Sequence, residues 1–156
     1  MIIDKFNEFA DATSVAGTAG TALIGNVVDL GVAGLNVGNG EPLYLVIQTD
    51  TEVITAGSAG TIQFTLASDA QAAIATDGSA TAHFVSASLV TDDAAANSAA
   101  LNAGGVIAAV ALPSGTYERY LGVLATIGTT EVTAGKINAF LTKDVASWKA
   151  YADGIA

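Results

Sequence analysis

The chain has 156 residues, a single-domain length, and its 51% hydrophobic content is enough to bury a core. Fifteen acidic against five basic side chains give a formal net charge of -10 and a pI of about 4.1, a balance that disfavours nucleic acid and anionic membranes. The absence of cysteine excludes a disulfide framework, a cysteine nucleophile and a Cys-based zinc site.

At the start, Ile2 to Phe9 suits either a helical turn or an extended arm bearing Ile3, Phe6 and Phe9, and the arm is the favoured reading. Acids stand there where the apolar core of a signal peptide would have to be, which argues against export by that route. Ala10 to Thr21 is small and hydroxylated and reads as a strand-and-turn passage. Leu23, Ile24, Val27, Val28 and Leu30 form a strand ending near Asp29, with a bulge or bend at Gly25-Asn26. Gly31 to Gly40 is too rich in glycine for a regular element and reads as a loop.

Leu43 to Thr49 is apolar on both faces, the pattern of a central strand covered on both sides. The clearest alternation follows, with Ile62, Phe64 and Leu66 on one face and Thr61, Gln63 and Thr65 on the other. Ala67 to Asp77 fits a short helix capped by Ser68 or Asp69, or a polar loop. Thr81 to Val90 is β-prone again, and Thr91 to Asn102 reads as an exposed loop with at most one helical turn. Gly105 to Leu112 is apolar on both faces and stops at Pro113, so a buried strand is expected. Tyr117, Arg119, Leu121, Val123, Ala125 and Ile127 share one face of a long strand; Ile137, Ala139 and Leu141 mark a second, and the two suggest an antiparallel pair. A tail with Trp148 and Tyr151 closes the chain.

About eight closely spaced strands with little helix indicate an all-β fold, an antiparallel β-sandwich or jelly roll. The expected organisation is an N-terminal arm and lead-in over residues 1–20, the sandwich over 21–146 and a tail over 147–156. The mean hydropathy of +0.52 comes from short Ala, Val and Ile segments, none near the roughly 18 uninterrupted apolar residues of a spanning helix.

Chemistry is sparsely signalled, and no catalytic, cofactor or metal site is expected. His83 is the single histidine, so a histidine-based triad is possible only around it; packing or hydrogen bonding within a strand is its ordinary role. Asp92-Asp93 with Asn97 lacks the spaced ligands, glycine and terminal glutamate of an EF-hand and reads as a solvated loop. The glycines at 31, 34, 38 and 40 have no following helix to bind a phosphate. Four of the five basic residues, Arg119, Lys136, Lys143 and Lys149, fall in the last quarter, which suits either a protein whose basic part lies on another surface or scattered solubilising lysines.

Several blocks, in order over nearly the whole chain, carry a family resemblance: Met1-Ile2-Ile3-Asp4-Lys5 with Phe9 and Asp11, Asn26-Val27-Val28-Asp29-Leu30-Gly31, Gly40-Glu41-Pro42-Leu43-Tyr44, and Arg119-Tyr120-Leu121-Gly122-Val123 leading to Gly135 and Ala139-Phe140-Leu141. Together they resemble the Bbp16 family of tailed-phage capsid cement proteins. The resemblance implies a jelly-roll decoration protein, made in the host bacterial cytoplasm, that binds the outside of an HK97-type capsid and ties neighbouring major capsid proteins together. It implies a structural protein rather than an enzyme, without cofactor, acting as a homo-oligomer with a dimer favoured over a trimer. For the capsid or oligomer contact, Ile2, Ile3, Phe6 and Phe9 of the arm are the first candidates because they lack an evident place in a sheet, and Arg119 with Tyr120 the second because this pair suits an interface core. The alternative from another class is a β-sandwich carbohydrate-binding module with Trp148 and Tyr151 as a stacking platform. A surface-layer or adhesin domain also fits the Thr/Ala/Gly-rich composition but lacks repeats.

Overall fold

The structure, a computed structural model, describes residues 5–33, 35–37, 40–57, 60–92 and 97–145. After a 3-10 turn, Lys5–Asn7, come β1 (Glu8–Ser14), β2 (Gly20–Asp29), β3 (Leu35–Val37), β4 (Tyr44–Ile54), β5 (Gly60–Asp69), β6 (Thr81–Val85), β7 (Leu89–Thr91), a 3-10 turn at Ala99–Leu101, β8 (Val106–Ala111), β9 (Gly115–Tyr117), β10 (Tyr120–Gly128) and β11 (Ala134–Thr142). The first sheet has the order β1-β11-β4-β8 and the second β2-β10-β5-β6, with β7 also on β5; β3 and β9 form a separate two-stranded ribbon. All pairings of these strands are antiparallel. With the three-residue strands β3, β7 and β9 set aside, eight remain, and their order is that of a jelly roll, two Greek keys folded into facing sheets.

Period-2 patterning builds the core. On β5 the side chains of Ile62, Phe64 and Leu66 are fully buried, while Thr61, Gln63 and Thr65 on the opposite face are half-buried. Leu121, Val123, Ala125 and Ile127 of β10 join them from the same sheet, and Leu45, Ile47, Ile137, Ala139 and Leu141 of β4 and β11 meet them from the other. Val46, on the other face of β4, is buried too, as a central strand apolar on both faces requires. The bulge expected at Gly25-Asn26 is present: β10 pairs Leu121 with Val28 but Val123 with Ile24, so β2 carries extra residues between them.

Several expectations are corrected. The segment from Glu8 is not an arm but strand β1, hydrogen-bonded along β11, and Phe9 is wholly buried because alternation turns it into the core. β10 and β11 do not pair with each other; residues 129–133 cross between the sheets, tied by a bridge between Gly17 and Val132, so that the apolar face of each strand meets the other across the core. The strand foreseen from Tyr117 is broken at Glu118-Arg119 into β9 and β10. The glycine-rich stretch after Gly31 contains β3, held by β9. Of the two readings of Ala67 to Asp77, the loop is the one found, over residues 70–80 after β5 ends at Asp69: the Asp69 carboxylate accepts the Gln71 and Ala75 N–H groups at 3.1 and 2.9 Å and folds the chain back, with Ile74 buried. β8 is an edge strand and only partly buried. The expected tail over 147–156, Trp148 and Tyr151 included, lies outside the described residues.

Candidate functional site

The candidate surface lies where the end of β2 meets the start of β10. Tyr120 is the register partner of Asp29, and the Leu30 N–H donates to the Arg119 carbonyl at 2.8 Å, so backbone pairing delivers Arg119, Tyr120 and Asp29 to one place. The Arg119 guanidinium grips the Asp29 carboxylate through two bonds, Nε to Oδ1 and Nη2 to Oδ2, both 2.9 Å, and lies 5.0 Å from the centre of the Tyr120 ring. Asp29 Oδ1 also accepts the Gly31 N–H at 2.8 Å. Two donors on one carboxylate hold its pKa at about 2, with the Arg119 hydrogen bonds the larger cause, and the same pairing raises the pKa of Arg119. Tyr120 packs against a small apolar cluster of Ala67, Ile74 and Leu124.

Beside this group, a surface cleft of about 350 Å³ runs between the N-terminal 3-10 turn and β2, walled by Lys5, Phe6, Glu8 and residues Asn26 to Asp29. Phe6 stands on its rim with 86% of its surface exposed, the most exposed large apolar side chain among the described residues. The Lys5 ammonium pairs with the Glu8 carboxylate one turn on. Asp29 therefore belongs both to the cleft wall and to the Arg119 grip.

Of the six residues singled out in the sequence, the structure gathers Phe6, Arg119 and Tyr120 at this end of the second sheet. Phe9 is removed to the core, and Ile2 and Ile3 lie outside the described residues. Asp29 was missed as a site residue, because its partner lies 90 positions away in the sequence. The basic residues prove to be tied to this chain's own acids: Lys5 to Glu8, Arg119 to Asp29, and Lys143 to Glu41 at 2.7 Å, leaving Lys136 as the one cation without a carboxylate partner among the described residues. Exposed pairs of this kind contribute little each and are weakened further by salt.

The Arg119–Asp29 pair makes an acid-dependent contribution. Because the folded pKa of Asp29 lies below the unfolded value of 3.8, the contribution is full above about pH 4 and is lost as pH falls through about 2. Asp29→Asn is expected to flatten the stability profile between pH 4 and 2, by an amount that shrinks in high salt because the pair is about half exposed. Urea midpoints across that window at low and high ionic strength check it; an unchanged slope would show that the pair is not formed in solution.

His83 sits elsewhere, at the junction of β5, β6 and β9. Its ring stacks on Tyr117 at 3.8 Å and 18°, and its Nε2 shares a 2.7 Å hydrogen bond with Ser68 Oγ, which also accepts the Glu118 N–H at 3.1 Å. Burial pulls the histidine below its ordinary pKa against the opposing pull of Glu118. The carboxylate of Glu118 reaches the serine, at 3.5 Å, and Ser68 is fully buried, so the cluster clamps three strands around a hydroxyl. The Tyr117 hydroxyl completes it by donating to the Pro113 carbonyl at 2.8 Å. Among the described residues no group of three His, Asp or Glu converges as a metal site, and no helix is long and apolar enough to cross a membrane.

No curated protein matches the chain. The model of the Bbp16 family, in contrast, matches residues 9–141, from the first buried side chain of β1 to the penultimate residue of β11. A match over the whole jelly roll, including the pairing residues Asp29, Arg119 and Tyr120, places this chain in the Bbp16 family, a family of phage proteins.

Proposed function

We propose that this protein is a structural component of the virion that binds the outside of an HK97-type capsid and cements neighbouring major capsid proteins against internal pressure. The observation that carries the reading is the Bbp16 family match across the entire sandwich. A compact jelly roll is suited to the task, because it offers a rigid body whose binding to the assembled shell, and not to free subunits, stabilises the shell by mass action. It acts without cofactor and not as an enzyme, and as a homo-oligomer, a dimer in preference to a trimer, so that several modest contacts combine through avidity. It is made in the host cytoplasm and has no need of nucleic acid or membrane.

The end of the second sheet supplies the capsid contact in this reading. Phe6 provides an exposed aromatic knob beside a cleft, and Arg119 with Tyr120 provides a charge-bearing, partly apolar surface next to it. Co-sedimentation of the purified protein with assembled, undecorated capsids tests the proposal. The expected result is saturable binding at a fixed copy number per major capsid subunit. Absence of binding at any ionic strength overturns it.

A further inference from the structure

Among the described residues one buried side-chain atom has no partner: the amide oxygen of Asn97 accepts no hydrogen bond. The nitrogen of the same amide faces too many acceptors. It lies 3.2 Å from the Val53 carbonyl oxygen, 3.4 Å from Glu52 Oε1 and 3.4 Å from Asn102 Oδ1. An amide nitrogen carries two hydrogens, so three acceptors at the long end of the hydrogen-bond range are not all served. On its buried side the amide meets no donor that would hold its oxygen there. Its orientation is therefore set by what fills the space among the three oxygens.

The backbone builds that space. Between Thr51, paired with Lys136, and Ile54, paired with Ala134, β4 fits Glu52 and Val53 opposite Gly135 alone. Such a bulge re-aims neighbouring groups, and it brings a side chain and the next carbonyl to one place. On the other flank, the pairing of β4 with β8 ends at Gln48, and the turn over residues 97–105 takes over. Gly104 N–H donates to the Thr49 carbonyl and Thr49 N–H to the Gly105 carbonyl, each at 2.8 Å, while Thr49 Oγ1 donates to the Ala100 carbonyl at 2.7 Å. Ser98 anchors the other end of the turn to β7: its N–H donates to the Val90 carbonyl at 3.0 Å, and its Oγ accepts the Val90 N–H at 2.9 Å. Asn97 and Asn102 are thereby fixed over the bulge.

We infer that this cage is a calcium site, in which the Asn97 amide turns over and its oxygen joins Glu52 Oε1, the Val53 carbonyl and Asn102 Oδ1 around one ion, with water completing the shell. A half-turn about the Cβ–Cγ bond puts the oxygen where the nitrogen stands, 3.2 to 3.4 Å from the other three. Neighbouring oxygens that share a calcium ion at about 2.4 Å stand roughly 2.9–3.4 Å apart, whereas an octahedral magnesium ion at about 2.1 Å draws them to about 2.9 Å. All four donors are the hard oxygens calcium takes, and a net charge of -10 favours a divalent cation. With a single carboxylate the site belongs to the weak class, half-saturated at about 0.1–1 mM. The ion braces the 97–105 turn against the end of β4 and takes part in no reaction. This departs from the expectation of no metal site, which rested on the spacing of ligands in sequence; these four come from two separate segments that the fold brings together. The inference goes beyond the capsid reading and does not depend on it.

The full-length protein, freed of metal with a chelator, is melted in increasing calcium chloride or magnesium chloride at an ionic strength held constant with potassium chloride. The expected result is a saturable rise in Tm with calcium, roughly 3–6 °C at ten times the half-saturating concentration, and a smaller one with magnesium. Glu52→Gln, an exposed position, should leave the metal-free Tm unchanged and weaken calcium binding at least ten-fold. Asn97→Asp should lower the metal-free Tm, because two carboxylates then face each other, yet tighten calcium binding about ten-fold. Calorimetric titration of all three proteins with calcium chloride reads the affinities directly. Equal shifts from the two metals, or the same calcium response in Glu52→Gln as in the unsubstituted protein, would show screening of an acidic surface and overturn the site. So would Asn97→Asp losing stability without gaining calcium affinity, since that is what an amide holding only the turn predicts.

Discussion

Phe9→Ala should cost about 3–5 kcal/mol of stability, whereas Phe6→Ala, three residues earlier, should change stability by no more than about 0.5 kcal/mol. In the sequence the two aromatics look equivalent, both in a short N-terminal stretch with no clear period. In the structure they part: Phe9 is wholly buried in the core from β1, and Phe6 is 86% exposed on the turn before it. Removing the Phe9 ring leaves a void that β11, held between β1 and β4, and the facing sheet cannot close without loss of packing. In a domain of this length the melting temperature should fall by roughly 6–20 °C. Phe6→Ala should instead weaken capsid binding about 30-fold if the ring is an interface anchor, since such anchors are worth 2 kcal/mol or more. Thermal melts of both variants, paired with capsid co-sedimentation, check the contrast. A melting loss for Phe6→Ala equal to that for Phe9→Ala would assign the turn to the core and remove it from the contact surface.

The Phe6 and Phe9 pair also shows what was legible in the sequence and what was not. Strands whose faces differ in polarity over several residues, such as Ile62, Phe64 and Leu66 against Thr61, Gln63 and Thr65, can be read directly, because one periodicity decides both element and face. Strand partnership could not be read. β10 and β11 are consecutive and both apolar, the pattern of a hairpin, yet they lie in opposite sheets. A strand's alternation says that one face is buried but not what buries it, and facing across a core satisfies the pattern as well as pairing side by side. The same limit hid the start of β1, assigned to the arm although the strand-and-turn reading from Ala10 reached its second half: Glu8, Asp11 and Ser14 dilute its alternation while its bonds to β11 supply the order.

The site was half legible for a related reason. Arg119 and Tyr120 stood out as residue types enriched in interface cores, and they do meet at the surface. Asp29, which orients the guanidinium, stood out as the end of a β-prone run and as part of a family block but not as a contact residue, because the contact depends on the β2–β10 register. The bulge at Gly25 shifts that register between Ile24 and Val28, and its geometry therefore reaches from the core to the candidate surface.

Gly25→Ala should accordingly destabilise the protein by about 2–5 kcal/mol, more than any other small substitution on β2. Gly25 has a φ of 66°, a left-handed conformation that costs an L-residue about 1–2 kcal/mol. An added Cβ would also stand 2.0 Å from the Phe9 carbonyl oxygen and 3.1 Å from its carbon. Backbone atoms held by the β1–β11 ladder cannot rotate aside as a side-chain end would, so β1 and β2 must separate, adding roughly 1–3 kcal/mol of overpacking. Gly31→Ala supplies the control: its φ is 84°, but nothing lies within 4 Å of the new methyl, so only the conformational cost of about 1–2 kcal/mol applies. Urea midpoints of the two variants separate the contributions. Because β2 carries Asp29 at its end, Gly25→Ala should also disturb the Arg119 grip and flatten the acid limb below pH 4, as Asp29→Asn does, whereas Gly31→Ala keeps its N–H and should retain that limb. Equal destabilisation by the two substitutions would show that the close approach of the bulge to Phe9 does not couple the sheets.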